Sequence, residues 1–128
     1  MGSGKVWKCK RCRYKVETSG LWEFYRDTEG QRKRHGHPEP VSKEAAERGI
    51  KGFSYFAYCP NCDEVRDVIA YEFETPRDYF GAWGGLHGNH DQELSCPECG
   101  GKLYVSLLDL KCPRCRRGFF CAIVSWIS

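Results

Sequence analysis

Cys96-Pro97-Glu98-Cys99-Gly100-Gly101-Lys102-Leu103, followed after a short gap by Cys112-Pro113-Arg114-Cys115, is the stretch on which the fold turns. Two more pairs of the same spacing lie upstream, Cys9-Lys10-Arg11-Cys12 and Cys59-Pro60-Asn61-Cys62. Eight of the nine cysteines therefore fall into four C-x-x-C knuckles. Two residues between cysteines let both sulfurs reach one ion from a tight turn whose amides point at the sulfurs. Proline at the second position of three knuckles fixes φ and stiffens that turn. Zinc takes four tetrahedral ligands and favours thiolate, so four knuckles imply two structural Zn(Cys)4 sites, two Zn2+ per chain. Iron in a rubredoxin-like site has the same ligands and stays open as an alternative. Redox dithiols of the C-P-x-C type sit singly in a βαβ unit, and no such unit is visible.

Each knuckle leads into a segment that reads as a strand, an internal repeat of four. Val65, Ile69, Tyr71 and Phe73 follow Cys62 on one face. Lys102 to Leu108 follows Cys99, with Leu103, Val105 and Leu107 on one side. Phe119 to Trp126 follows Cys115 and is apolar on both faces, as in a central strand. After Cys12 only Tyr14 and Val16 are apolar. Between the first two knuckles, Leu21 to Arg26 reads as a strand and Asp27-Thr28-Glu29-Gly30 as its turn. His35 to Pro40 is irregular because of its prolines. Ser42 reads as the N-cap of a short helix, Lys43 to Arg48, that Gly49 ends. Phe53 to Tyr58 is a strand entering the second knuckle. Residues 75–95, rich in glycine with Tyr79, Phe80 and Trp83, form a linker whose aromatics imply packing.

Four pairs close two sites in three ways: sequential, nested or interleaved. The expected choice is sequential, joining Cys9, Cys12, Cys59 and Cys62, then Cys96, Cys99, Cys112 and Cys115. Closing the long first gap adds little, since loop-closure cost grows slowly with length.

At the last two knuckles the chain resembles the zinc-ribbon superfamily, most fully over residues 96–128. The resemblance implies a small, β-rich, metal-stabilised fold of two tandem ribbon-like modules. Residues 1–74 would form the first, enlarged by an insert at 13–58 with the short helix; 75–95 the linker; 96–128 a C-terminal ribbon. Proteins of that superfamily serve in transcription, translation, nucleic-acid processing and scaffolding, so the resemblance implies metal and fold more narrowly than function.

The composition is globular, with 41% hydrophobic and 29% charged residues in 128, and modules this small need staples. No apolar run approaches a membrane span, and no signal-peptide core is visible. The expectation is a protein that is neither secreted nor membrane-bound, cytoplasmic or, in a eukaryote, nuclear, where paired cysteines read as metal ligands. Eight bound thiolates and two zinc ions would take the formal +3 charge to about −1. Residues 1–51 carry 13 Lys and Arg against 7 acids, and residues 52–95 carry 2 against 8, so a basic N-terminal third faces an acidic middle. That polarity serves either an anionic partner or attraction between the halves.

Arg32, Lys33 and Arg34, with Lys8, Lys10, Arg11, Arg13 and Lys15, are candidate phosphate contacts. Trp22, Phe24, Tyr25, Tyr55 and Phe56 stand near them as candidate stacking platforms. The plainer reading is a solvated basic surface over a thin aromatic core. His35, His37, His87 and His90 form two close pairs that, with Glu39 or Asp91, would make a third metal site or an acid–base centre if their loops met. Cys121, the odd cysteine, lies with Phe119 and Ile123 on an apolar strand and reads as a small core residue. Gly2-Ser3-Gly4-Lys5 lacks the first glycine and the Ser or Thr of a phosphate loop. No Ser-His-Asp set or paired carboxylates point to a reaction. The expected function is a non-enzymatic zinc-binding adaptor or nucleic-acid-binding protein, its partner nucleic acid or another protein. The competing class is a small metalloenzyme or redox protein using the histidine loops or Cys121.

Overall fold

The computed structural model describes residues 3–36, 40–84 and 94–127. Its frame is one antiparallel sheet. Strands β1 (Ser3–Cys9), β2 (Lys15–Arg26), β4 (Ile50–Cys59), β5 (Glu64–Arg77) and β6 (Phe120–Ile127) run in the order β5-β4-β2-β1-β6, and the short β3 (Arg32–Arg34) pairs with the far end of β2. Two six-residue helices, α1 (Lys43–Arg48) and α2 (Tyr79–Gly84), flank it.

Local chemistry explains the turns. Asp27 Oδ1 accepts the N–H groups of Glu29 and Gln31, both at 2.9 Å, and Gly30 at φ 80° completes the expected turn. Ser42 Oγ accepts the Ala45 amide at 3.1 Å, and Gly49 at φ 74° returns its N–H to Ala45 O. The expected capped helix is present. Val16 of the weak segment and the Leu21–Arg26 strand belong to one long β2, which begins after Tyr14. Its alternation puts Val16 and Thr18 in the core and Lys15 and Glu17 in water.

Two strand expectations are corrected. Lys102–Leu108 forms no strand: it makes isolated bridges from Lys102 to Ser95 and from Tyr104 to Tyr58. Its carbonyls and apolar side chains serve the sheet instead, as a plug. Val105 O accepts the Thr18 hydroxyl at 2.5 Å, while Leu103 and Leu107 are buried. The strand β6 is an edge strand, not a central one, and Ile123 and Val124 are 45% and 51% exposed on it.

The core comes in three parts, and cysteines belong to two of them. Trp7, Val16, Tyr58, Leu107 and Phe120 pack with Cys9 and Cys112; Ala57 and Leu103 pack with Cys59 and Cys96. The third, around Ile50, Phe53 and Phe73, takes Trp83 of α2 edge-on against Phe53 at 4.6 Å. Trp83 Nε1–H also donates to Glu23 Oε1 at 3.1 Å. Tyr79 and Trp83 thus pack as their aromaticity suggested, whereas Phe80 is 82% exposed.

Because β6 hydrogen-bonds along β1, from Ser3–Ile127 to Cys9–Phe120, residues 96–128 are not a ribbon closed on itself. The division into modules 1–74 and 96–128 gives way to one sheet built from both ends of the chain.

Candidate metal centres

Each knuckle ends in the same backbone device. The residue after its second cysteine is left-handed: Arg13 at φ 66°, Asp63 at 55°, Gly100 at 73° and Arg116 at 58°. In three knuckles that residue's amide also closes a turn onto the carbonyl of the first cysteine: Arg13 to Cys9, Gly100 to Cys96, Arg116 to Cys112. Arginine and aspartate there accept a conformation that glycine takes freely. Amides converge on the sulfurs: Cys12 N–H on Cys9 Sγ at 3.5 Å, Cys62 on Cys59 at 3.4 Å, Gly101 on Cys99 at 3.4 Å and Gly118 on Cys115 at 3.3 Å.

The eight sulfurs gather as two groups of four, Cys9, Cys12, Cys112 and Cys115 in one and Cys59, Cys62, Cys96 and Cys99 in the other. The knuckles are therefore nested, first with fourth and second with third. The sequential pairing expected from the sequence is wrong, because β1 and β6 are neighbours and carry the outer knuckles at their adjoining ends. Facing sulfurs lie 3.6 Å apart for Cys9–Cys115 and Cys12–Cys112, and 3.5 and 3.9 Å apart for Cys59–Cys99 and Cys62–Cys96. A tetrahedron with metal–sulfur bonds of about 2.3 Å has edges of about 3.8 Å, and a disulfide needs about 2.05 Å. Both groups fit a tetrahedral metal and neither is a disulfide.

The thiols are prepared unequally. The amides of Arg117 and Gly118 draw the Cys115 thiol down to about 6. Burial opposes ionisation of Cys96, but the amides of Cys99 and Glu98 outweigh it and hold that thiol at about 6 as well. Arg66 favours the Cys62 thiolate, yet the neighbouring sulfur of Cys99 and burial prevail and push it up to about 11. The Tyr14 amide likewise favours the Cys12 thiolate but loses to burial and three neighbouring sulfurs, leaving it at about 11. The Cys9 group thus sets two lowered thiols, Cys9 and Cys115, beside the raised Cys12, and the Cys59 group sets the lowered Cys96 beside the raised Cys59 and Cys62.

Glycine lets the knuckles close. A Cβ on Gly118 would stand 2.5 Å from Cys9 Sγ and 2.8 Å from Arg11 Cβ, so the fourth knuckle meets the first through bare backbone.

Asp63, unmarked in the sequence, joins the two centres. Its Oδ1 accepts the hydroxyls of Tyr58 at 2.5 Å and Tyr14 at 2.8 Å, and Oδ2 accepts Arg114 Nε–H at 3.0 Å. The Arg114 guanidinium also lies 4.0 Å from the centre of the Tyr14 ring. Burial would raise the Asp63 carboxyl, but these three donors hold it below the usual carboxylate value.

The other sequence candidates separate into two regions. Lys10, Arg11, Arg13 and Lys15 are exposed around the Cys9 group. Lys111, Arg114, Arg116 and Arg117, which sequence reading did not single out, are exposed around the same group because Cys112 and Cys115 belong to it. Nesting is the signal that would have found them. At the other end of β2, Arg32 pairs with Asp67 at 3.0 Å and Lys33 with Asp27 at 3.7 Å. Arg34 lies over Trp22 at 4.0 Å. Trp22 is only 8% exposed and donates its indole N–H to Ser19 Oγ, leaving little ring for a base.

His35 is buried, with Nδ1 3.1 Å from Gly36 O. His37, His87 and His90, with Glu39 and Asp91, lie outside the described residues. Cys121 is half-buried with its thiol 3.6 Å from Lys8 O, and it joins neither sulfur group.

No family model matches the sequence, and neither the curated proteins nor the solved structures contain a significant match.

Proposed function

We propose that the chain is a non-enzymatic nucleic-acid-binding protein in which two structural zinc ions hold a β-sheet together, and that the face around the Cys9 group meets the phosphate backbone. Zinc is the reading for the ions because four thiolates at tetrahedral spacing suit it and because the groups, each with two buried cysteines, are closed as structural sites are. When bound, the ion supplies no reaction. Its work is to hold Cys9, Cys12, Cys112 and Cys115, and with them two chain segments far apart in sequence.

One observation carries the nucleic-acid reading. Nesting places Lys10, Arg11, Arg13 and Lys15 beside Lys111, Arg114, Arg116 and Arg117, all exposed around one metal centre. Among the described residues only Arg114 of these eight has a carboxylate partner. The charge near the other centre is different, with Glu64 and Glu98 exposed beside it. Like charges assembled at one end of a molecule favour a polyanion. Eight thiols held reduced also suit a cytoplasmic or nuclear setting.

The test is a salt titration of binding to mixed-sequence RNA and DNA. Affinity should fall with log salt at a slope of roughly −0.9 per neutralised phosphate on duplex and roughly −0.7 on a single strand. Changing Lys10, Arg11, Arg116 and Arg117 to Glu should abolish binding while elemental analysis still finds two zinc ions. The same change at Arg32 should do little. Absence of binding at low salt rejects the reading and leaves a protein partner.

A further inference from the structure

The sheet has one face packed under the plug at Leu103–Leu107 and another that the described residues leave largely uncovered. Cross-strand neighbours share a face, so the open one reads directly from the register. Its first row is Lys15, Lys8 and Cys121; its second is Glu17, Val6 and Val124; its third is Phe56, Ser19, Gly4 and Trp126. Trp22 and then Arg34, paired with Phe24, complete it beyond the third row.

Gly4 decides what the third row looks like. A Cβ there would collide with the Trp126 ring, which lies across β1 to reach Trp22 with ring centres 5.6 Å apart. The Arg34 guanidinium also lies over the Trp22 ring, 4.0 Å from its centre. Trp126 is half-buried, while Phe56 and Val124 are 40% and 51% exposed. An aromatic and aliphatic strip therefore runs across the sheet between Lys8 and Lys15 at one end and Arg34 at the other. Three carboxylates border it: Glu17, exposed in the second row, Asp67, which Arg32 pairs, and Glu72 in the row of Arg34, which Arg26 pairs. The Lys8/Lys15 end is continuous with the basic knuckles, since both lysines adjoin the first one.

We infer that this face is a platform for single-stranded nucleic acid. Bases would stack on Trp126 and Phe56, and the strand's phosphates would run from the basic knuckles past Lys8 and Lys15 to Arg34. The occupant follows from complementarity: cations at both ends with flat rings between them match an unpaired strand, which offers phosphates and open base faces. A duplex hides its base faces and would meet only the cations. The inference rests on the polyanion reading and narrows it to a substrate class.

The experiment measures binding of a fluorescein-labelled 12-nucleotide oligouridine and of a duplex of equal length to the zinc-loaded full chain. The single strand should bind more tightly and quench Trp fluorescence. Trp126→Ala and Phe56→Ala should each weaken it by about 5- to 100-fold with the salt slope unchanged. Trp126 also packs on Trp22, so Val124→Glu, at an exposed site, serves as the second variant; it should weaken the single strand at least as much as the duplex. Equal affinity for single strand and duplex, with all three variants like wild type, overturns the platform and leaves the knuckle reading standing. No binding of either probe at low salt rejects both. A dimer in sedimentation whose formation Val124→Glu abolishes would also overturn the platform, by assigning the face to a second copy of the chain.

Discussion

Arg114 donates its Nε–H to Oδ2 of Asp63 at 3.0 Å, and so ties a knuckle of one sulfur group to a knuckle of the other. The bond spans two metal centres that share no cysteine. With Tyr14 and Tyr58 on Oδ1, the carboxylate receives three donors, of which the two part-buried tyrosine bonds to a charged acceptor contribute about 1.5–3 kcal/mol each at most.

Asp63→Ala should therefore destabilise the zinc-loaded protein by about 2–4 kcal/mol in denaturant unfolding, since it also leaves two partly buried tyrosine hydroxyls short of an acceptor. Zinc content should stay at two per chain. The pH dependence has a definite sign. The Asp63 carboxyl titrates lower in the folded protein than in the unfolded one, so its contribution is present above the unfolded value of about 3.9 and is lost as pH falls through the lower folded value. The stability gap between wild type and Asp63→Asn should narrow across that acidic range.

Nesting predicts which cysteine variants share a phenotype. Cys9→Ser and Cys112→Ser should each lose one zinc, and their double variant should still hold the other. Cys9→Ser combined with Cys59→Ser should lose both. Elemental analysis of the purified variants distinguishes these outcomes, and retention of one zinc by the Cys9/Cys59 pair would restore the sequential arrangement. Cys121→Ala should keep two zinc ions.

Gly118→Ala tests the approach of the outer knuckles. The added methyl would meet Cys9 Sγ and Arg11 Cβ, so the Cys9 group should release its metal at lower chelator concentration while the Cys59 group is unchanged. Gly30→Ala, with nothing within 4 Å of its Cβ, should leave both centres intact and cost only the strain of a positive φ, about 1 kcal/mol.

Removing both metals should unfold most of the sheet. Cysteines from both groups are built into two of the three core clusters, and without an ion nothing joins the buried Cys9 to Cys112 or Cys59 to Cys96. Strong chelation at neutral pH should collapse the β-sheet circular dichroism signal, and added zinc should restore it.

The sequence carried the parts of this fold that are local. Knuckle spacing, the Ser42 cap, the Asp27–Gly30 turn and the strands entering and leaving Cys59-Cys62 depend on neighbours a few residues away. Knuckle partnership does not, because a C-x-x-C turn is identical whichever second turn faces it. Loop closure did not separate the pairings, because its cost grows too slowly with length to tell a 46-residue gap from a longer one. The structure joins the two basic knuckles, and the pairing of β1 with β6 outweighs their repulsion. That pairing was hidden because Phe119 to Trp126, apolar on both faces, reads as a central strand. Trp126 accounts for part of its apolarity by lying across Gly4 instead of filling a core.

Nesting also sets an order of assembly in time. A ribosome exposes Cys9 and Cys12 first, yet their partners at Cys112 and Cys115 come last, so those two thiols wait through about 100 residues of synthesis, roughly 5–20 s at about 5–20 residues per second. The inner centre can fill as soon as Cys99 emerges, and the outer one closes only after Cys115 has followed. A chain that stops short of Cys112 would thus carry two open thiols in a C-x-x-C turn, which a thiol-reactive label would read.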